Sequence, residues 1–600
     1  MRLGSSITGA IFGLITAALQ LPIPAHAIEK AHIQARASAS QSVEFDLYLP
    51  VQNAGDLDAL IARQQDASSA DYHRWLTPAE FHSRFAPSNS QVSKIKQELN
   101  ANGLRVTEIH THSLHVMGNV GAVENAFGTQ IANATFKNGK RTLAATRPIK
   151  LSPTLAAMGA RVVGLSSTIY MHTGAHKTSM LPANRYSSAG PYWFTDLKQA
   201  YSYPSYQVYN GRGATIGILM VGGYSKSDMD MYFSHEKLAT PTIQEVKVHG
   251  GAPYDPNGSF ETALDIQQSG GMAPKATIIL YNIPDLYDSN ILDGLTKIIE
   301  ANRVDIVNMS FGGPEIGYTK AYNDGVDYTS ILGVYNDMFK QGNAQGITFV
   351  ASSGDAGALG APPIGCFAEG ATSKCGAYKV TISTPASSPH VTAVGGTNLV
   401  TTSSPNSSTL DSAYIKEQAY GDVLMQDIFY GTPATGAYWG SGGGISIYYK
   451  KPWFQTLVNT GSAMRTIPDV SLHMGGCPGG SVEPCKPDRS SVVTALGGYF
   501  YLLIGTSASA PDFAGLLALR VQKTGGRLGN ENYDIYTLAA AQNKGSSLRV
   551  YHDNIPGYNG KYFSKKGYNY VVGNGTVYAK DFIHAPNVPS AGIPQTPTNP

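Results

Sequence analysis

Six hundred residues are too many for one hydrophobic core, so the chain is expected to fold as two or three units. Hydrophobic residues make up 42% and aromatic residues 10%, whereas charged residues reach only 14%, against roughly 25% in an ordinary soluble domain. The formal net charge is +2, with no long block of like charges and no basic stripe interleaved with aromatics, which argues against a nucleic-acid partner.

Arg2, the apolar run 10–21 and then Ala25-His26-Ala27 read as an export signal over residues 1–27. Pro22 and Pro24 end the run short of the about 20 apolar residues that span a bilayer. A secreted product, extracellular or periplasmic and off the membrane after signal removal, is therefore expected. Residues 28–171 read as a small α+β unit. The stretch 43–49 alternates like a strand, 57–65 and 92–99 have helical spacing, 104–109 and 114–118 read as strands, and a helix follows near 122–127. Helices covering one face of an antiparallel sheet are the expected architecture. Residues 172–190 are rich in Ser, Gly, Ala and Pro and read as an exposed linker, where proteolytic nicking concentrates.

From 191 to 583 the character changes. Short apolar strands at 215–221, 276–281, 306–309, 347–351 and 391–394 alternate with helical stretches such as 260–268 and 291–302. This pattern predicts an α/β domain, a doubly wound parallel sheet buried on both faces, with its site at the carboxyl ends of the strands. Residues 584–600 read as a Pro-rich tail. The four cysteines form two close pairs, Cys366 with Cys375 and Cys477 with Cys485. In an exported chain these suggest two local disulfides, and their spacing argues against zinc.

The segment Gly505-Thr506-Ser507-Ala508-Ser509-Ala510-Pro511 follows an apolar strand and precedes an apolar helical run. Ser507 is thereby placed at a helix N-terminus, where unpaired N–H groups favour negative charge. An N-capping serine is the commoner meaning of such a position, and a nucleophilic one needs a base. Beyond residue 190 the histidines are His235, His249, His390, His473, His552 and His584, and none precedes small residues at a helix start. Glu261 and Asp265 stand instead four apart on one helix face, among the apolar Phe260, Ala263, Leu264 and Ile266. Two carboxyls so close share a proton and titrate as a pair, which suits a general base in acid. Asp355 sits in a Gly-rich turn at a strand's carboxyl end, a place that turn-forming Asp residues also favour.

Together these segments resemble the sedolisin family of serine-carboxyl peptidases, kumamolisin-like and made with an activation prodomain. The resemblance extends to 72–81 (Tyr72-His73-Arg74-Trp75-Leu76-Thr77-Pro78), 126–129 and 162–165 in the prodomain, and to 388–397, 441–444 and 468–471 further on. It implies a subtilisin-like catalytic fold over 191–583 and a ferredoxin-like prodomain over 28–171. It also implies a Ser507–Glu261–Asp265 triad, with Asp355 as the oxyanion donor. The function implied is a secreted, acid-active endopeptidase, a self-processing zymogen acting on proteins or peptides as a monomer, with its prodomain as intramolecular inhibitor. A catalytically inactive secreted relative acting as a binding or surface protein is the alternative, and a neutral subtilisin-type peptidase is disfavoured by the missing His motif.

Two departures stand out. The family's Trp after Ser is here Phe311, which lacks the indole N–H donor. The family's calcium site maps onto Asp553, Asn554, Lys565, Gly567 and Asn569, the middle three through backbone carbonyls. One Ca2+ ion is implied, with affinity weakened because Asn569 replaces an Asp.

Overall fold

A computed structural model describes residues 28–586 apart from 137, 167, 174, 180–189, 368–375, 403–411, 424–437 and 476–490. The export signal, most of the Pro-rich tail, and Cys375, Cys477 and Cys485 of the expected disulfides lie outside the described residues.

In the N-terminal unit the alternation of Val43, Phe45 and Leu47 builds the strand Ser42–Tyr48, which points these side chains into one core. That strand pairs antiparallel with Ser113–Asn119 on one side and Arg161–Val163 on the other, and Arg105–Ile109 completes the sheet at the edge beyond Ser113–Asn119. Helices Asn89–Ala101 and Val120–Phe127 contribute Ile95, Leu99, Val123 and Phe127 to the same core. Strand–helix–strand–strand–helix–strand with the first and third strands central is the ferredoxin-like arrangement the sequence led us to expect. The helix Pro78–Phe85 was not anticipated, although Thr77 and Glu80 form a capping box, the sequence mark of a helix start. This helix and Ala54–Gln64 carry Leu57, Ile61, Phe81 and Phe85 onto Ala344 of the larger unit.

The larger unit holds the doubly wound sheet. Its parallel strands lie in the order Thr242–Lys247, Thr277–Ile283, Thr215–Val221, Ile306–Met309, Thr348–Ser352, Thr392–Thr401 and Val470–His473. Nearly every residue of the five central strands is buried, as expected for strands covered by helices on both faces. Four of the five expected strands fall within two residues of these bounds, and the one expected at 391–394 runs on to Thr401. The helix expected at 260–268 runs to Met272, carrying its turns through Gly270 and Gly271, which lie directly under the Phe233 and Phe194 rings.

The motif at 468–471 is a buried strut. Both nitrogens of the Arg465 fork meet both oxygens of Asp469, at 2.5 and 2.6 Å, and neither side chain is exposed. Asp469 also accepts from the Ala393 N–H at 2.8 Å and the Tyr536 hydroxyl at 2.7 Å, tying the motif at 388–397 to the next strand. Asp469→Ala would leave a buried guanidinium without its partner, so a stability loss of about 3–5 kcal/mol in urea unfolding is expected. A loss under about 1 kcal/mol would contradict this role.

Candidate functional site

Two helices meet at the carboxyl edge of the sheet. The strand Tyr499–Ile504 ends at Gly505, whose φ of +139° turns the chain into the helix Thr506–Thr524. Ser507 is the second residue of that helix and is wholly buried. Pro511 lies inside the helix rather than in its first turn, so the Ser507 carbonyl has no helical N–H to accept. The second helix, Phe260–Met272, carries Glu261 and Asp265 and is buried at every residue but Phe260. The two helices approach so closely that a Cβ on Gly515 would sit 2.5 Å from Met272 Cβ.

The surroundings of the carboxyl pair disfavour charge on both members at once. Burial pushes the Glu261 carboxyl well above its ordinary range, and the neighbouring Asp265 pushes it further; the Ser507 hydroxyl and the Ala175 N–H pull it back. Glu261 Oε2 accepts that N–H at 3.2 Å, while Oε1 is buried with no partner. Asp265 is likewise raised by burial and is held down by Ser310 and Asn308. Its Oδ1 accepts the Ser310 hydroxyl at 2.5 Å, and Asn308 Nδ2 donates to that hydroxyl at 3.0 Å. Ser507 Oγ donates to the Ser310 carbonyl at 3.4 Å. The hydrogen-bonded support of Asp265 thus reaches Oδ1 through Ser310 and Asn308, while Oδ2 is buried without a partner and the buried Phe311 carries no donor for it.

Asp355 stands where the strand Thr348–Ser352 ends. Its Oδ1 accepts both the Thr506 N–H at 2.6 Å and the Thr506 hydroxyl at 2.7 Å, and Oδ2 is buried without a partner. Burial raises this carboxyl to about 7 against those two bonds, so the free oxygen carries the proton below neutrality. The glycines at 442–444 let the chain run against this loop: Gly440 N–H donates to Asp355 O and Gly442 N–H to Gly354 O, both at 2.7 Å. A buried acid with one anchored and one free oxygen, beside a helix-start serine, can donate a hydrogen bond to an oxyanion.

The stretch read as an exposed linker is not exposed where it is described. His172–Thr173 pairs antiparallel with Phe311–Pro314, and the backbone of His176–Ser179 pairs antiparallel with Tyr499–Ile504. Between them Ala175 is buried at Glu261. Unpaired strand edges beside the carboxyls outweigh the flexible composition of this segment. Ser310, Asn308, Thr506 and Ala175 escaped the sequence reading as contact residues; only the position of Ser310, directly after the strand Ile306–Met309, marked it as facing the site. The residues of the implied calcium site come together in one C-terminal loop, where Gly567 N–H donates to Asp553 O at 2.9 Å.

Residues 29–168 match the Pro-kumamolisin activation domain, and residues 248–554 match the subtilase family. Sedolisin of Pseudomonas sp. strain 101 is 28% identical over 576 residues, 92% of this chain and 88% of that protein. Kumamolisin of Bacillus sp. strain MN-32 is 26% identical, over 87% and 86% of the two chains. The structure of Pseudomonas sedolisin, a serine-carboxyl proteinase bound to two molecules of pseudo-iodotyrostatin, superposes with a TM-score of 0.53 at 26% identity, covering 66% of this chain and 97% of that one.

Proposed function

The chain belongs to the subtilase family and is a sedolisin-type serine peptidase with an N-terminal activation domain; from that premise we propose that it is a secreted, acid-active endopeptidase that releases itself from its own prodomain. The observation that carries the reading is the meeting of Ser507, the buried Glu261–Asp265 pair, which shares a proton, and the buried Asp355 around a strand of the chain itself.

In this reading Glu261 Oε1 takes the Ser507 proton as Oγ attacks a carbonyl, and returns it to the leaving amine. Asp265, fixed by Ser310, shares the proton and holds Glu261 in place. The Asp355 proton on Oδ2 is donated to the developing oxyanion. Asp355→Ala should therefore lower kcat about 10²–10³-fold. The sign with pH follows from the donor: Asp355 serves only while protonated, so activity falls as pH rises through about 7. Asp355→Asn keeps an N–H donor at every pH, and its alkaline limb should move upward; an unchanged limb would contradict the assignment.

The inserted segment supports endopeptidase action. A chain that pairs with one strand edge before Ala175 and another after it continues on both sides of the carboxyls, so no free terminus is needed. Cleavage within 172–190 would free the prodomain, and internal cuts in an N-terminally blocked protein substrate would test the mode.

Acid should also loosen the prodomain's seat. His112 is buried beside Phe81 of the prodomain and Gln341 of the larger unit, with Glu300 and His82 the charged or titratable groups near it. Burial lowers its pKa to about 4. A lowered histidine stabilises the docked form while neutral, and that contribution is lost as pH falls from about 6.5 toward about 4. His112→Phe is expected to shift the onset of self-cleavage to lower pH, read by gel against pH.

A further inference from the structure

The loop that family resemblance assigns to calcium does not fit a cation, and we infer that the side-chain amide of Asn569 takes the ion's place, leaving a fold that needs no metal there. Asn569 is buried between the carbonyls a calcium ion would use. Its Nδ2 donates to Lys565 O at 2.9 Å and to Gly567 O at 3.1 Å. Its Oδ1 accepts the N–H groups of Val571 and Val572, both at 3.0 Å.

An amide has two donor hydrogens and two acceptor lone pairs, and here all four are used. The orientation is therefore fixed: turned over, the nitrogen would face two N–H groups and the oxygen two carbonyls. In the fixed orientation the two hydrogens point where a cation would sit. The two ends of the loop are tied to each other without an ion, the Gly567 N–H donating to Asp553 O at 2.9 Å. The backbone of Asn569 is locked as well, exchanging two 3.0 Å bonds with Gly573.

The donor set points the same way. Calcium wants six to eight oxygens with enough negative charge. Asp553 is the single carboxylate of the five residues. An aspartate at 569 would reverse the balance. One oxygen could keep the Val571 and Val572 N–H bonds, but the other would face two carbonyls, a repulsion that near neutral pH, with the carboxyl ionised, a cation relieves.

The test reads stability rather than cleavage, so its failure is distinguishable from failure of the peptidase reading. Full-length Ser507→Ala protein, which cannot digest itself, is unfolded thermally with EGTA or with about 10 mM CaCl2, some tenfold above the weakest extracellular calcium affinities. The Asn569 chain should shift in Tm by less than about 1 °C between the two. Asn569→Asp in the same background should be destabilised in EGTA and gain about 5 °C or more with calcium. A calcium-dependent rise in the Asn569 chain, or one tightly held calcium per chain by elemental analysis, would overturn the inference. An Asn569→Asp chain indifferent to calcium would overturn it too. Should that variant fail to fold even with calcium, the Asn569 measurements decide alone.

Discussion

Ser507→Ala is expected to leave the precursor intact and to lower kcat on a peptide substrate by a factor on the order of 10⁶. The size follows from the way the site is built. Ser507 is buried at a helix start, where its hydroxyl donates to the strand end at Ser310 and lies near enough to the Glu261 carboxyl to hold its pKa down. Removing it removes the acyl-transfer route rather than a single stabilising contact. The carboxyl pair and Asp355 would still bind and polarise a carbonyl, so a small residual rate over the uncatalysed reaction remains. The variant should fold as the parent does, because the hydroxyl contributes one long hydrogen bond of 3.4 Å to the native state. Near-parental kcat would remove Ser507 from the chemistry.

Glu261→Gln is the second large effect, a loss of about 10²–10⁴ in kcat with KM changed far less. Gln keeps the carbonyl that accepts the Ala175 N–H but cannot take a proton. Asp265→Asn should weaken the same step without abolishing it, since Ser310 and Asn308 still hold the residue in place. The distinguishing readout is the acid limb of the pH profile. With the pair intact, one proton is shared by two carboxyls that burial raises, Glu261 further by repulsion from Asp265. With Asp265→Asn that repulsion is gone, and the limb should move to lower pH. An unmoved limb would mean that Asp265 acts on the fold alone.

Most of the architecture was legible in the sequence because burial on both sheet faces forces continuous apolar strands, such as Ile306–Met309 and Thr348–Ser352, and glycine marks their ends. The edge strand Thr242–Lys247 escaped because its exposed residues dilute that signal. The carboxyls were legible because a four-residue spacing in an apolar helix leaves few alternatives. Two features were not. The seat of the linker depends on open strand edges at Phe311–Pro314 and Tyr499–Ile504, which composition cannot report, and so its Ser, Gly and Pro content suggested exposure instead. The Asn569 amide depends on which way four backbone groups point; the sequence showed a missing carboxylate but not the donor that replaced it.

The central claim, a self-processing acid peptidase, is tested most directly by holding the purified, signal-free precursor at about pH 4 and about pH 7, the two sides of the Asp355 transition, beside Ser507→Ala. Mass and digestion of denatured haemoglobin are followed over time. Only the parent, and only in acid, is expected to shed a segment ending within residues 172–190 and then to digest the substrate. A parent chain that stays whole and inert at both pH values would contradict it and favour a secreted binding protein built on the same fold.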